Sequence, residues 1–81
     1  MHYVYLIESK RDRSKRYVGF SDDLKPRLAD HNAGKSKHTL DDRPWKLVTY
    51  TAFRSREKAM EFERYLKIGS GHAFARRHLW H

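Results

Sequence analysis

Glu63 is the residue whose position most needs a chemical explanation. Residues 56–68 have helical spacing. With Ala59 at the origin of a wheel turning about 100° per residue, Leu66 falls at about 340°, Phe62 at about 300° and Met60 at about 100°, and Glu63 lies inside this apolar arc at about 40°. Glu57 and Glu61 point to the opposite, solvated side. A carboxylate on an apolar face is costly unless something pairs with it. The partner is either a Lys or Arg in a structural ion pair or a divalent metal ion. Mg²⁺ suits the second reading, because it commonly takes one or two protein carboxylates and keeps several waters.

Arg27 and His31 form a second constellation. They are four residues apart, so on a helix they stack on one face, flanking the Leu24/Leu28 stripe at the rim of the core. A guanidinium there can hold a phosphate through two hydrogen bonds and stabilise charge developing in phosphoryl transfer. A neighbouring imidazole can shuttle a proton. The plainer alternative is a phosphate-positioning arginine beside a structural histidine. Tyrosines supply a third set. Tyr3 and Tyr5 share one face of a first strand, and Tyr17 and Gly19 share one face of a second. Gly19 leaves room beside Tyr17 for a close ligand, although a core tyrosine with a satisfied hydroxyl is the usual explanation of such a pattern. The six histidines form no HExxH motif and no four-ligand zinc spacing.

The elements that must position these groups are readable. Tyr3 to Ile7 is β-branched and aromatic and reads as a strand, and Arg16 to Phe20 reads as a second strand hairpinned back on it across a polar loop over Glu8 to Lys15. Ser21, Asp22 and Asp23 are N-cap residues, so a helix starts there, with Pro26 tolerated in its first turn. Asn32, Ala33 and Gly34 end it. Lys35 to Arg43 is a basic connection, and Trp45 to Phe53 a third strand. Ser55 caps a second helix, Gly69-Ser70-Gly71 stops it, and His72 to Trp80 forms a short third helix. Sequential strands pair antiparallel, so the expected class is α+β: a three-stranded antiparallel sheet flanked by three helices in one domain, residues 1–81.

Charge narrows the partner. Eighteen Lys and Arg face ten Asp and Glu among 81 residues, a net charge of +8, and a polyanion is the natural complement. The basic residues cluster at Lys10 to Arg16, Lys35 with Lys37, Arg54 with Arg56, and Arg76 with Arg77. They do not line one face of an amphipathic helix, so nucleic acid outranks a membrane surface. Lys10, Arg11, Arg13, Lys15, Lys35 and Lys37 are the candidate contacts. The longest apolar run, Tyr3 to Ile7, is far below the roughly 20 residues that span a bilayer. Without cysteine there is neither disulfide nor thiolate site, and no signal peptide is visible, which fits a cytoplasmic protein. Trp45 and Trp80, read as exposed aromatics, are the only support for a protein-interaction adaptor.

These residues together resemble the GIY-YIG nuclease superfamily along nearly the whole chain. Tyr3-Val4-Tyr5 corresponds to the first half-motif and Tyr17-Val18-Gly19 to the second. Leu24, Arg27, Leu28 and His31 match the helix signature. Residues 43–48 resemble the third strand of small bacterial members, and residues 63–67 the helix bearing their metal-binding glutamate. The resemblance implies a single divalent metal on Glu63, Mg²⁺ or Mn²⁺, and DNA phosphodiester hydrolysis in repair or processing. It implies that Tyr17 orients or deprotonates the attacking water and that Arg27 stabilises the phosphate, with Tyr5 and His31 in support. Two departures stand out. Tyr3 occupies the place of the first motif's glycine. The chain also reaches only His81, so little sequence specificity is expected without a separate DNA-targeting domain, and nicking is the default. The runner-up is a non-catalytic nucleic-acid-binding module on the same scaffold.

Overall fold

The computed structural model describes residues 1–80; residue 81, the last of the expected domain, lies outside them. Three strands, β1 (His2–Ser9), β2 (Arg16–Ser21) and β3 (Trp45–Phe53), form one antiparallel sheet in the order β2-β1-β3. The helices are α1 (Leu24–Asn32), α2 (Arg56–Lys67) and α3 (Gly69–His78), and a 3₁₀ turn spans Leu40–Asp42. The class is the expected α+β, a three-stranded antiparallel sheet with three helices.

Central β1 is buried on both faces, so its alternating side chains build two cores. Val4 and Leu6 pack with Ala59, Leu66 and Ala75 of α2 and α3. Tyr5 and Ile7 pack on the other side with Trp45, Tyr17, Leu24, Leu28 and Leu47. Neighbouring strands and helices thus deliver Tyr5 and Tyr17 to the side of the sheet that α1 covers.

Strand β1 runs two residues past its expected end because Glu8 and Ser9, read as loop, are buried with polar partners. The Glu8 carboxylate has Arg16 Nε at 3.5 Å and Arg13 Nε and Lys46 Nζ each at 3.6 Å. Ser9 Oγ donates to the Asp42 carbonyl at 2.6 Å and accepts from the Arg11 and Asp12 amides at 3.1 Å. Helix α1 starts after Asp23, where the Ser21 hydroxyl accepts from the Asp23 amide at 3.0 Å. Pro26 falls in its first turn, where its missing N–H costs nothing. In α2 the Ser55 hydroxyl accepts from the Lys58 amide at 3.2 Å, an N-cap as expected.

Two expectations fail locally. Gly69, Ser70 and Gly71 do not separate the last two helices but form the first turn of α3, and the break falls at extended Ile68. Gly71 lies so close to the Tyr65 carbonyl that a Cβ would collide with it, which is why a glycine sits inside a helix there. Trp45 is not exposed. It is buried, and its Nε1–H donates to the Thr39 carbonyl at 2.8 Å. Among the described residues, no helix is long and apolar enough to cross a membrane.

Candidate active site

The site grows from the pairing of Tyr5 with Gly19 across β1 and β2. A Cβ at position 19 would meet the Tyr5 hydroxyl and the edge of the Tyr17 ring, so the glycine lets the two tyrosines converge. Their ring centroids are 6.4 Å apart. Helix α1 brings His31 against both, with centroids 5.6 Å from Tyr5 and 5.3 Å from Tyr17.

His31 is fully buried rather than at the rim of the core. Its Nε2 lies 2.7 Å from Tyr5 Oη, and its Nδ1 lies 2.7 Å from Thr39 Oγ1. Both ring nitrogens are engaged, so the imidazole has none left for a solvent proton. Burial pushes its pKa below the ordinary histidine value; the Arg27 charge adds to this, and Asp30 opposes it. A neutral imidazole has one ring proton, so one nitrogen donates and the other accepts, and the Thr39–His31–Tyr5 chain runs in one direction.

Arg27 sits one turn before His31 on α1, beside the Tyr5 hydroxyl. Burial raises the Tyr5 pKa; a hydrogen bond and charge from Arg27 pull it down, while Tyr17 and Glu63 push it further up. Tyr5 therefore keeps its proton at neutral pH, which suits a hydrogen-bonding group and not a base.

Glu63 comes from α2. The helical wheel placed it on the apolar face; it occupies the margin of that face, with its side chain 21% exposed. Its Oε2 is 3.0 Å from Lys67 Nζ one turn on, and the same ammonium lies 5.7 Å from the centre of the Tyr17 ring. The ion-pair alternative is thus present. A single, partly open carboxylate also fits a hard cation that keeps most of its water. Among the described residues, no group of three or more His, Cys, Asp or Glu could enclose a metal, so a closed cage is absent.

All six expected DNA-contacting side chains are exposed, and three of them have identified partners. Arg11 donates to the Asp41 carbonyl at 3.2 Å, Arg13 pairs with Glu8, and Lys35 Nζ lies 3.8 Å from Asp30. Reasoning from sequence missed Thr39 and Lys67. Nothing local marks Thr39, a threonine in a polar connection. Lys67 carried a signal, its i,i+4 spacing from Glu63.

The profile of the GIY-YIG catalytic domain matches residues 1–73. The chain belongs to the GIY-YIG family. It is 44% identical over 66 residues to a UPF0213 protein of Streptococcus pneumoniae serotype 4, covering 80% of this chain and 65% of that one. It is 42% identical over 70 residues to UPF0213 protein SH2523 of Staphylococcus haemolyticus, covering 85% and 83%. The chain thus spans just under two thirds of the streptococcal relative's length. The solution NMR structure of UPF0213 protein BH0048 from Bacillus halodurans superposes with a TM-score of 0.55 at 36% identity, covering 93% of this chain and 79% of that one. Membership of this nuclease-type family and the observed fold agree with the resemblance read from the half-motifs.

Proposed function

We propose that this GIY-YIG domain, residues 1–81 acting as one unit, is a divalent-metal-dependent DNA endonuclease. It would nick DNA with low sequence specificity or structure preference, in cytoplasmic DNA repair or processing. The supporting observation is convergence: Tyr5, Tyr17, Arg27 and Glu63 come from four different elements, yet Arg27, Tyr17 and Glu63 all act on the Tyr5 hydroxyl, and His31 is hydrogen-bonded to it.

Arg27 holds a non-bridging phosphate oxygen and meets the negative charge that grows on it. Tyr17 orients or deprotonates the attacking water. His31 and Thr39 fix the Tyr5 hydroxyl, which presents a hydrogen bond to the same phosphate. Glu63 would hold Mg²⁺ or Mn²⁺ once Lys67 gives way, and such an ion supplies Lewis-acid polarisation of the phosphoryl group. The exposed Lys10, Arg11, Arg13, Lys15, Lys35 and Lys37 hold flanking phosphates.

The test is nicking of supercoiled plasmid with Mg²⁺, with Mn²⁺ and with EDTA. The expected result is open circles with metal only. Arg27→Ala should slow single-turnover cleavage by about 10²–10³-fold while DNA binding persists. Tight DNA binding with no cleavage under any metal would favour a non-catalytic nucleic-acid-binding module.

A further inference from the structure

A cavity of about 510 Å³ opens against the edge strand β2, directly beside the tyrosine cluster. Tyr17 and Lys67 belong to both. The rest of its rim is Ser14, Arg16 from β2, and His72 and Arg76 one turn apart on α3, and the lining contains no Asp or Glu. Its floor is apolar, made by Val18, Leu66 and the half-buried Trp80, and the Arg16 guanidinium lies 4.9 Å above the Trp80 ring. The catalytic reading uses none of Arg16, His72, Arg76 or Trp80.

We propose that this cavity takes one unpaired nucleotide of the strand next to the scissile phosphate. The substrate class is then DNA with an unpaired segment, such as a splayed arm or flap, rather than continuous duplex. The assignment rests on the nuclease reading above. Two features of the cavity select the ligand. Glu8 and Glu63 lie outside the lining but pair with Arg16 and Lys67, so Arg76 leads the anion-binding half, with those two cations in support. A phosphate alone has no use for an apolar floor. Duplex DNA shows a protein its sugar-phosphate exterior and keeps its bases stacked, so it cannot fill a floor of Val, Leu and Trp. A nucleotide out of the stack carries both an anionic group and a flat apolar base, and aromatic and Arg surfaces are the usual platforms for such bases. The volume lies within the roughly 300–1,000 Å³ of ordinary small-ligand sites, too small for a duplex. Because Tyr17 lines the cavity, a base lodged there sits on the strand being cut.

The experiment is fluorescence anisotropy in EDTA with the full wild-type chain, comparing end-labelled splayed-arm and flush duplexes of equal length. A 2-aminopurine in the first unpaired position reports stacking. The splayed DNA should bind about tenfold more tightly, the order expected for one stacked base, with quenched 2-aminopurine emission. His72→Ala and Arg76→Ala, both at exposed positions, should lower splayed-arm affinity towards the flush-duplex value and leave flush-duplex affinity unchanged. Equal affinities for the two DNAs would overturn the proposal, as would a preference that survives in both variants. Neither readout requires cleavage. Failure of the nuclease reading would therefore show as intact strand preference without nicking under any metal.

Discussion

Thr39→Val is the sharpest probe of the hydrogen-bonded chain behind the tyrosines. Thr39 and His31 are both fully buried, and the hydroxyl lies 2.7 Å from Nδ1. Valine fills the same volume, so no cavity opens, and the Thr39 carbonyl still receives the Trp45 indole N–H. What is lost is one partner of a buried imidazole nitrogen that water cannot replace. Leaving such a group unsatisfied costs about 1–3 kcal/mol. A domain of this length loses about 4–8 °C of melting temperature per kcal/mol, so the fall should be on the order of 10 °C. Thr39→Ser keeps the hydroxyl and should recover most of it. Single-turnover nicking of plasmid should slow in the valine variant and recover in the serine variant, with DNA affinity unchanged because no phosphate-binding cation is touched. ¹⁵N spectra of His31 should show the imidazole losing its single fixed tautomer. A valine variant that melts with the parent and nicks at its rate would refute the reasoning, since the hydroxyl would then hold nothing in place.

Gly19→Ala should destabilise the fold and slow cleavage, because the new Cβ must displace a Tyr5 hydroxyl that is pinned to His31; parallel melts and nicking assays read both effects. Glu63→Gln should scarcely alter the melt without metal, since a partly exposed i,i+4 pair is worth about 0.3–0.5 kcal/mol, yet it should abolish cleavage and any rise in melting temperature on adding Mn²⁺. Stability should also depend on pH through His31. Its folded pKa is depressed, so its contribution is complete above the ordinary value of about 6.5 and is lost as pH falls from there through the lower folded value. Melting temperature should therefore drop across that acid range, with a shallower slope in His31→Asn.

What could be read ahead followed from local rules. β3 was expected over Trp45 to Phe53 and is found there, because β-branched and aromatic residues predominate between Pro44 and Arg54. The Ser55 cap fixed the start of α2. Tyr5, Tyr17 and His31 were singled out by spacing and resemblance, and they touch. What could not be read depends on contacts made far along the chain. Thr39 matters only because the polar connection folds back under α1. Glu8 looked like loop because its burial requires cations from 5, 8 and 38 residues away. Trp45 looked exposed because its one polar atom finds a backbone partner six residues upstream. The helical wheel placed Glu63 correctly around α2, but it could not say that the helix margin opens to water there.

Glu8 also bears on how this basic chain meets polyanions in solution. The formal charge counts Arg13, Arg16 and Lys46 as three of eighteen cations, but in the folded protein all three surround one carboxylate already withdrawn from water. That carboxylate acts as a built-in counterion. A DNA strand laid across these residues would displace fewer condensed ions than their number suggests, so the salt dependence of binding should be shallower than a count of lysines and arginines would give. Unfolding dissolves the cluster and releases the three cations to any phosphate nearby. A ligand that prefers the unfolded chain lowers stability by mass action. Heparin or excess single-stranded DNA would thus pull on the denatured ensemble through these residues, and one buried acid in β1 makes them less attractive to nucleic acid in the native domain than in its unfolded form.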